Sequence, residues 1–337
     1  MRALLPPVLS PTAIEKYSRC PFAFLMDRGL RLREFRRHEI DSRGMGDVYH
    51  EALKRFGEIM NEKGGAPANE GSLWNTATRE ETDAIVEDVF HEIEAAGISD
   101  EGALLFDKGD PAAVYRRRRL ESIVRDICWV LTERAAQDGA ERILFETVFG
   151  NGEEFDSISA GDDGLKIEGR IDRIDVLPGG RAKVIDYKSG SETWSAANVK
   201  SGWQLQLMLY LKAIEKDYEP YGVSYFRIFE PHIDLSAKGA PVTPEEIREA
   251  ASEKYRSDGV VRGDESEGKG KTRSGEKTLS YDEFNALRAE AGERLAEIAA
   301  GLSRGDAPVQ PMQKTGGDNV TACTWCNYKS ICNYEAT

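Results

Sequence analysis

At 337 residues and 40% hydrophobic, without an internal repeat or a membrane-length apolar run, the chain is long enough for one large core or two domains, and it excludes a membrane-spanning or low-complexity protein. Its 59 acidic residues outnumber 45 basic ones, and the net charge of −14 excludes a uniformly basic surface for binding phosphate polymers. Basic residues gather only locally, at Arg31-Leu32-Arg33, Arg36-Arg37, 116–119 and 269–277. The four consecutive arginines of 116–119 fall in a helical stretch that spreads them around the axis by about 100° each, so they read as solvated surface.

The apolar start Ala3-Leu4-Leu5 is cut off by Pro6-Pro7, so no secretory signal is expected and the chain is assigned to the reducing cytoplasm. Ser10-Pro11 has the cap-then-proline form of a helix start, and that helix should carry Cys20 near its end, ahead of Pro21. Helices are predicted at 45–61, 77–95 and 112–137, then a strand at 142–149 and two more at 165–176 and 181–188. A helix at 199–215, a strand at 223–229 and helices at 243–256 and 280–302 complete the pattern. Strands bracketed by helices indicate an α/β fold, a core sheet flanked by helices. Within one unit of 1–337, a helical insertion is placed at 45–140, a catalytic core at 142–230 and C-terminal helices with a cysteine cluster at 280–334. The glycine-rich, charged stretch 257–278 reads as a mobile loop or an irregular edge hairpin. Inside it, Gly263-x4-Gly268-Lys269 imitates a phosphate-binding loop, but Gly270 stands where a hydroxyl residue is needed and no apolar strand precedes, so no ATP site is expected.

Four of the five cysteines lie at the two ends of the chain. Cys323-x2-Cys326-x5-Cys332 can chelate one centre from a single tight loop, and a fourth thiolate is still required. Cys20 is the candidate, because Cys128 sits in the helical stretch Ile127-Cys128-Trp129-Val130, where a thiol fills core. A reducing compartment favours a metal over disulfides, while zinc and an iron–sulfur cluster both accept four thiolates. Tying residue 20 to residue 323 would close a loop of some 300 residues, a cross-link that the chain-entropy model puts at up to roughly 5 kcal/mol.

The strands 165–176 and 181–188 are joined by Pro178-Gly179-Gly180, a strong turn signal, and form a predicted hairpin. Centring the turn on Gly179 sets Asp172 opposite Asp186, with Cβ atoms about 5 Å apart. Lys188 shares the sheet face of Asp186. Two opposed carboxylates repel unless a cation lies between them, and both interrupt apolar text, in Ile171-Asp172-Arg173-Ile174 and Val184-Ile185-Asp186-Tyr187. Two carboxylates and a lysine on one face suit phosphodiester hydrolysis by a metal-activated water, and hard oxygen ligands favour Mg²⁺, with Mn²⁺ as substitute.

Asp172 followed by Asp186-x-Lys188 resembles the PD-(D/E)XK nuclease motif. The flanking text narrows the likeness: Leu9-Ser10-Pro11-Thr12-Ala13-Ile14 running to Cys20-Pro21-Phe22, Gly169-Arg170-Ile171-Asp172-Arg173-Ile174-Asp175, Val184-Ile185-Asp186-Tyr187-Lys188-Ser189-Gly190, and Cys323-Thr324-Trp325-Cys326-Asn327-Tyr328-Lys329-Ser330-Ile331-Cys332. Together, in this order over 9–334, they are similar to RecB-like nucleases and most of all to the carboxy-terminal nuclease domain of the AddB type. The resemblance implies a [4Fe–4S] cluster on Cys20, Cys323, Cys326 and Cys332. It implies a Mg²⁺ site at His50, Asp172, Asp186 and Tyr187, and a Q-x-x-x-Y element, Gln206 and Tyr210, that lines the site and contacts DNA alongside catalytic Asp172, Asp186 and Lys188. Without the family, His50 would be an ordinary helix-edge histidine, and Gln206 and Tyr210 an i, i+4 pair on one helix face.

The implied function is metal-dependent cleavage of single-stranded DNA or DNA ends, as an exonuclease in double-strand-break repair and recombination. Cutting of the 5′-ended strand is implied too, though no residue sets polarity. AddB-type members carry a helicase-like region ahead of the nuclease part, so an AddA-type helicase–nuclease subunit is the implied partner, and the dependence of this chain on it stays open. The alternative is a non-catalytic DNA-end-binding subunit that keeps the cluster for structure, which intact Asp172, Asp186 and Lys188 argue against. No residue distinguishes a redox-sensing cluster from a structural one.

Overall fold

The computed structural model describes residues 4, 6–32, 42–96, 106–107, 109–162, 164–190, 192–236, 243–263, 272, 275–315 and 320–334. Arg33, Arg36 and Arg37, and the Gly268-Lys269-Gly270 text, lie outside them. Among the described residues no helix is long and apolar enough to cross a membrane.

Strand β1 is Val8–Leu9. The Ser10 hydroxyl accepts the Ala13 N–H at 3.2 Å and Pro11 takes the first helical position, so helix α1 (Pro11–Arg19) starts where the cap chemistry requires and ends on Cys20. Short α2 (Pro21–Phe24) follows. Helices α3 (Ser42–Gly64), α4 (Leu73–Thr76), α5 (Arg79–Ala96) and α6 (Pro111–Asp138) come next; α3, α5 and α6 lie close to the predicted positions, and the one-turn α4 was not predicted. The strands are β2 (Arg142–Phe149), β3 (Ile158–Ala160), β4 (Leu165–Ile167), β5 (Gly169–Leu177) and β6 (Arg181–Lys188). Helices α7 (Ala196–Ser201) and α8 (Gln206–Ile214) lead to β7 (Glu219–Arg227), then α9 (Pro244–Ser252), β8 (Ser257–Arg262), β9 (Lys277–Leu279), α10 (Tyr281–Arg304) and α11 (Lys329–Cys332).

Six strands form one mixed sheet in the order β2-β5-β6-β7-β8-β9, with β6–β7 and β8–β9 parallel and the rest antiparallel. Period-2 alternation divides its side chains between two apolar layers. Val184 joins Ile14, Leu207, Tyr210, Phe284 and Leu295 on one side, whereas Ile185 and Tyr187 join Val48, Phe56, Trp74, Val89 and Ile127 on the other. Cys128 is fully buried in that second layer, the core position expected of it.

Three expectations need correction. The stretch 165–176 is two strands, because β4 leaves for a separate sheet of order β1-β4-β3, where Glu168 N–H bonds Leu9 O at 3.0 Å. The helix over 199–215 is likewise two, because Gly202 takes φ 88° and closes α7; a Cβ there would also stand 2.5 Å from Ser18 Oγ. The flanks of 257–278 are strands rather than a loop, and their parallel pairing rules out a hairpin. Ladders to β7 and β8 hold these strands, and beside β9 Lys183 Nζ lies 2.8 Å from Glu276 Oε1, both buried.

Candidate active site

The turn 178–180 places Gly179 and Gly180 at φ 81° and 72°, a left-handed pair that glycine adopts without a Cβ clash, and the hairpin closes on Leu177 opposite Arg181. The register then runs to Arg173 opposite Ile185, and its next step would set Asp172 against Asp186. Instead of continuing the ladder, Asp172 Oδ2 accepts the Tyr187 N–H at 2.8 Å. Both carboxylates are buried, at 9% and 2% exposed.

The paired stretch thus ends where the two carboxylates begin, and further groups converge there. His50 arrives from α3, in the opposite layer, with Nδ1 3.5 Å from Asp172 Oδ2 and 3.6 Å from Glu146 Oε1. Glu146 was not anticipated from the sequence. It lies on β2 where the unbroken β2–β5 register would set it opposite Asp172, and it has φ 47°, a left-handed backbone that a glutamate adopts only at a cost. The available signal was the one used for Asp186, a carboxylate interrupting an apolar strand, here Leu144-Phe145-Glu146-Thr147-Val148. Among the described residues, His50, Glu146 and Asp172 form the set whose ligand atoms all lie within 4.8 Å of one another, compact enough to hold one metal ion.

The electrostatics point the same way. Burial, then the Asp186 charge, push the Asp172 carboxyl up to about 7, against the pull of His50 and the Tyr187 N–H. Burial also raises Asp186, although Lys188 opposes it. Burial alone would lower the His50 imidazole, but Glu146, Asp172 and Asp186 outweigh it and hold it up at about 9. Surplus negative charge is being met by protons, the condition that a divalent cation would relieve.

Lys188 Nζ lies 2.7 Å from Asp186 Oδ2 and donates to Gln206 Oε1 at 3.0 Å. Asp186 is 2% exposed, and its Oδ2 is held by this charged pair with Lys188. Gln206 Nε2 in turn donates to Tyr210 Oη at 2.7 Å, so Lys188, Gln206 and Tyr210 form one chain. Its anchor was also missed from the sequence: buried Glu15 of α1 accepts the Leu205 and Gln206 N–H groups, each at 2.7 Å, capping the start of α8. Tyr187 is placed differently from the other expected metal residues. Its phenol is buried in the opposite layer beside Arg173 and the Phe226 ring, so only its main chain faces the carboxylates.

The C-terminal segment is laid along the end of α1 by Met312 N–H to Arg19 O at 2.8 Å, Phe22 N–H to Pro308 O at 3.2 Å and Ala322 N–H to Met312 O at 2.8 Å. These bonds bring Cys323, Cys326 and Cys332 to Cys20. Burial and then the neighbouring Cys326, Cys20 and Cys332 thiols push the Cys323 thiol up. Tyr328 N–H donates to Cys326 Sγ at 3.4 Å. All four are free thiols, as is the distant core residue Cys128.

Comparison with known proteins agrees with this geometry. Residues 8–333 match the family model of the PD-(D/E)XK nuclease superfamily. The chain is 28% identical over 365 residues to an ATP-dependent helicase/deoxyribonuclease subunit of Alkaliphilus metalliredigens, covering 97% of this chain and 30% of that protein. The proteins of the same name from Alkaliphilus oremlandii and Ruminiclostridium cellulolyticum are also 28% identical, over 97% and 98% of this chain and 30% of each relative. The chain therefore spans about a third of the length of these relatives. With a match across nearly its whole length and the motif carboxylates gathered at the end of one hairpin, the chain belongs to the PD-(D/E)XK nuclease superfamily.

Proposed function

We propose that the chain hydrolyses phosphodiester bonds in DNA, acting on single strands or DNA ends during double-strand-break repair in the cytoplasm. The observation that carries this reading is the convergence of His50, Glu146 and Asp172 within 4.8 Å beside the Asp186–Lys188 pair. These donors fit a hard divalent cation, Mg²⁺ or Mn²⁺: they are oxygen-rich, and Asp172 and Asp186 are buried with both carboxyls raised. When bound, such a cation supplies Lewis acidity toward a phosphate oxygen and a water of lowered pKa. Lys188 presents a fixed ammonium toward charge developing on the phosphate, and Gln206, held by Tyr210 and by the Glu15 cap, keeps that ammonium aimed. His50 reaches the carboxylates from the opposite layer and, once neutral, offers a nitrogen ligand.

Cys20, Cys323, Cys326 and Cys332 fit a [4Fe–4S] cluster, since Cys326, Cys20 and Cys332 lie close enough to Cys323 to raise its thiol and Cys326 Sγ already receives a backbone N–H. Such a cluster would join the two ends of the chain. The relatives bear the name of a helicase/deoxyribonuclease subunit, and we assign this chain to the nuclease part of such a protein, with an AddA-type subunit as partner. The test is incubation of anaerobically purified protein with labelled linear DNA, with and without Mg²⁺. Cleavage that needs the metal and vanishes in Asp186→Ala, while DNA binding persists, is expected. Full activity in Asp186→Ala would refute the assignment, and metal-independent binding without cleavage would favour the end-binding alternative.

A further inference from the structure

Trp325 is 77% exposed, far more than a side chain of its size and apolarity normally is. The local turn explains how it is presented. Cys326 N–H bonds Cys323 O at 3.2 Å, and Thr324 Oγ1 is occupied by the Thr321 N–H at 3.1 Å, which leaves Trp325 projecting from the tight turn between two cysteines. The same residue lines a cavity of about 980 Å³ whose walls also include Lys188 and Gln206, together with Lys16, Arg19 and Arg28 of the α1 region. That volume is at the upper end of sites that enclose whole ligands. The four cations on this wall are held in ion pairs, Lys16 and Arg28 with Asp27, Arg19 with Glu15 and Lys188 with Asp186, so they stand in fixed positions along the cavity in a chain of net charge −14.

An exposed aromatic platform, cations fixed along the wall and direct continuity with the catalytic lysine together describe a track for a single strand, where the backbone follows the cations and unpaired bases stack on rings. A duplex keeps its bases stacked on each other and offers none to a tryptophan. We infer that this cavity carries single-stranded DNA past the cysteine loop to Lys188, with Trp325 as the platform on which a base stacks. The inference rests on the nuclease reading for its substrate class, and it assigns to Trp325 a role in strand grip, separate from the bond-breaking groups.

The test uses the full chain and a fluorescein-labelled oligo(dT), with binding measured by anisotropy in EDTA so that cleavage plays no part. Stacking of one base on an aromatic ring implies that Trp325→Ala weakens binding by about tenfold, while Trp325→Phe restores most of it. Iron content should stay at the wild-type level in both, and under cleavage conditions the loss should fall on KM rather than kcat. An oligo(dT) carrying abasic sites should bind wild type more weakly but bind Trp325→Ala no worse than the intact strand does. Unchanged affinity in Trp325→Ala, failure of Trp325→Phe to rescue, equal loss on blunt duplex, or affinity lost only together with iron would each overturn the proposal. Because binding is read without metal, weakened binding in Trp325→Ala alongside an inactive wild type would retain the platform and reject the nuclease reading.

Discussion

Glu146 is where backbone strain and charge coincide, and its replacement separates the two. Glu146→Ala and Glu146→Gly remove the same carboxylate, with its 3.6 Å approach to His50 and its 3.5 Å approach to Arg170, so the difference between them isolates the backbone. A φ of 47° costs an L-residue roughly 1–2 kcal/mol that glycine is spared, offset by the extra freedom glycine gains in the unfolded chain, roughly 0.5–1 kcal/mol. Glycine should therefore be the more stable of the two by about 0.5–1 kcal/mol, the reverse of the usual order inside a strand. In a chain of this size that is a rise in Tm of about 1 °C, readable by urea or thermal melts in EDTA. Both variants should lose nuclease activity, and the His50 imidazole, followed by NMR titration, should fall from about 9 once Glu146 no longer holds it up. Equal or greater stability for alanine would refute the view that strained backbone is retained here for function, and retained activity would remove Glu146 from the site.

Proton and metal should compete. Asp172 at about 7 lies above its ordinary 3.8 and His50 at about 9 above its ordinary 6.5, so the folded state holds protons that the unfolded chain releases. Metal-free stability contributed by these groups is fully present below the unfolded values and falls as pH rises toward 9, while the Mg²⁺ needed for half-maximal activity falls over the same window; melts and activity titrations across pH check both signs. Glu276 is held down at about 2 from an ordinary 4.5, so its contribution is present above 4.5 and lost as pH falls through 2. Glu276→Gln should cost roughly 3–5 kcal/mol by stranding Lys183, and Lys183→Met with Glu276→Leu should recover most of it in urea titrations. A double variant no better than the single would contradict this. Cys20→Ala, Cys323→Ala, Cys326→Ala and Cys332→Ala should each lose iron, with protease-sensitive ends, whereas Cys128→Ala should keep it and cost no more than a modest core truncation. Iron retained in Cys20→Ala but lost in Cys128→Ala would overturn the proposed cluster ligands.

What the sequence determined by itself is what short-range rules govern. The Ser10-Pro11 cap sets where α1 begins and so where Cys20 falls. The Pro178-Gly179-Gly180 turn fixes the register that brings Asp172 and Asp186 to one place, and the period of two puts Lys188 beside Asp186. These follow from steric limits and alternation that act within one turn or one hairpin. Tertiary structure alone decided the rest. Glu146 is a neighbour of Asp172 only because β2 pairs with β5, and His50 approaches only because α3 packs on that face of the sheet. Glu15 caps α8 from a position 190 residues away. The departure of β4 into a second sheet depends on a partner, Leu9, that lies far off in the chain. Contacts of that kind leave no periodicity to read, because the side chains involved are chosen for what the folded chain places opposite them.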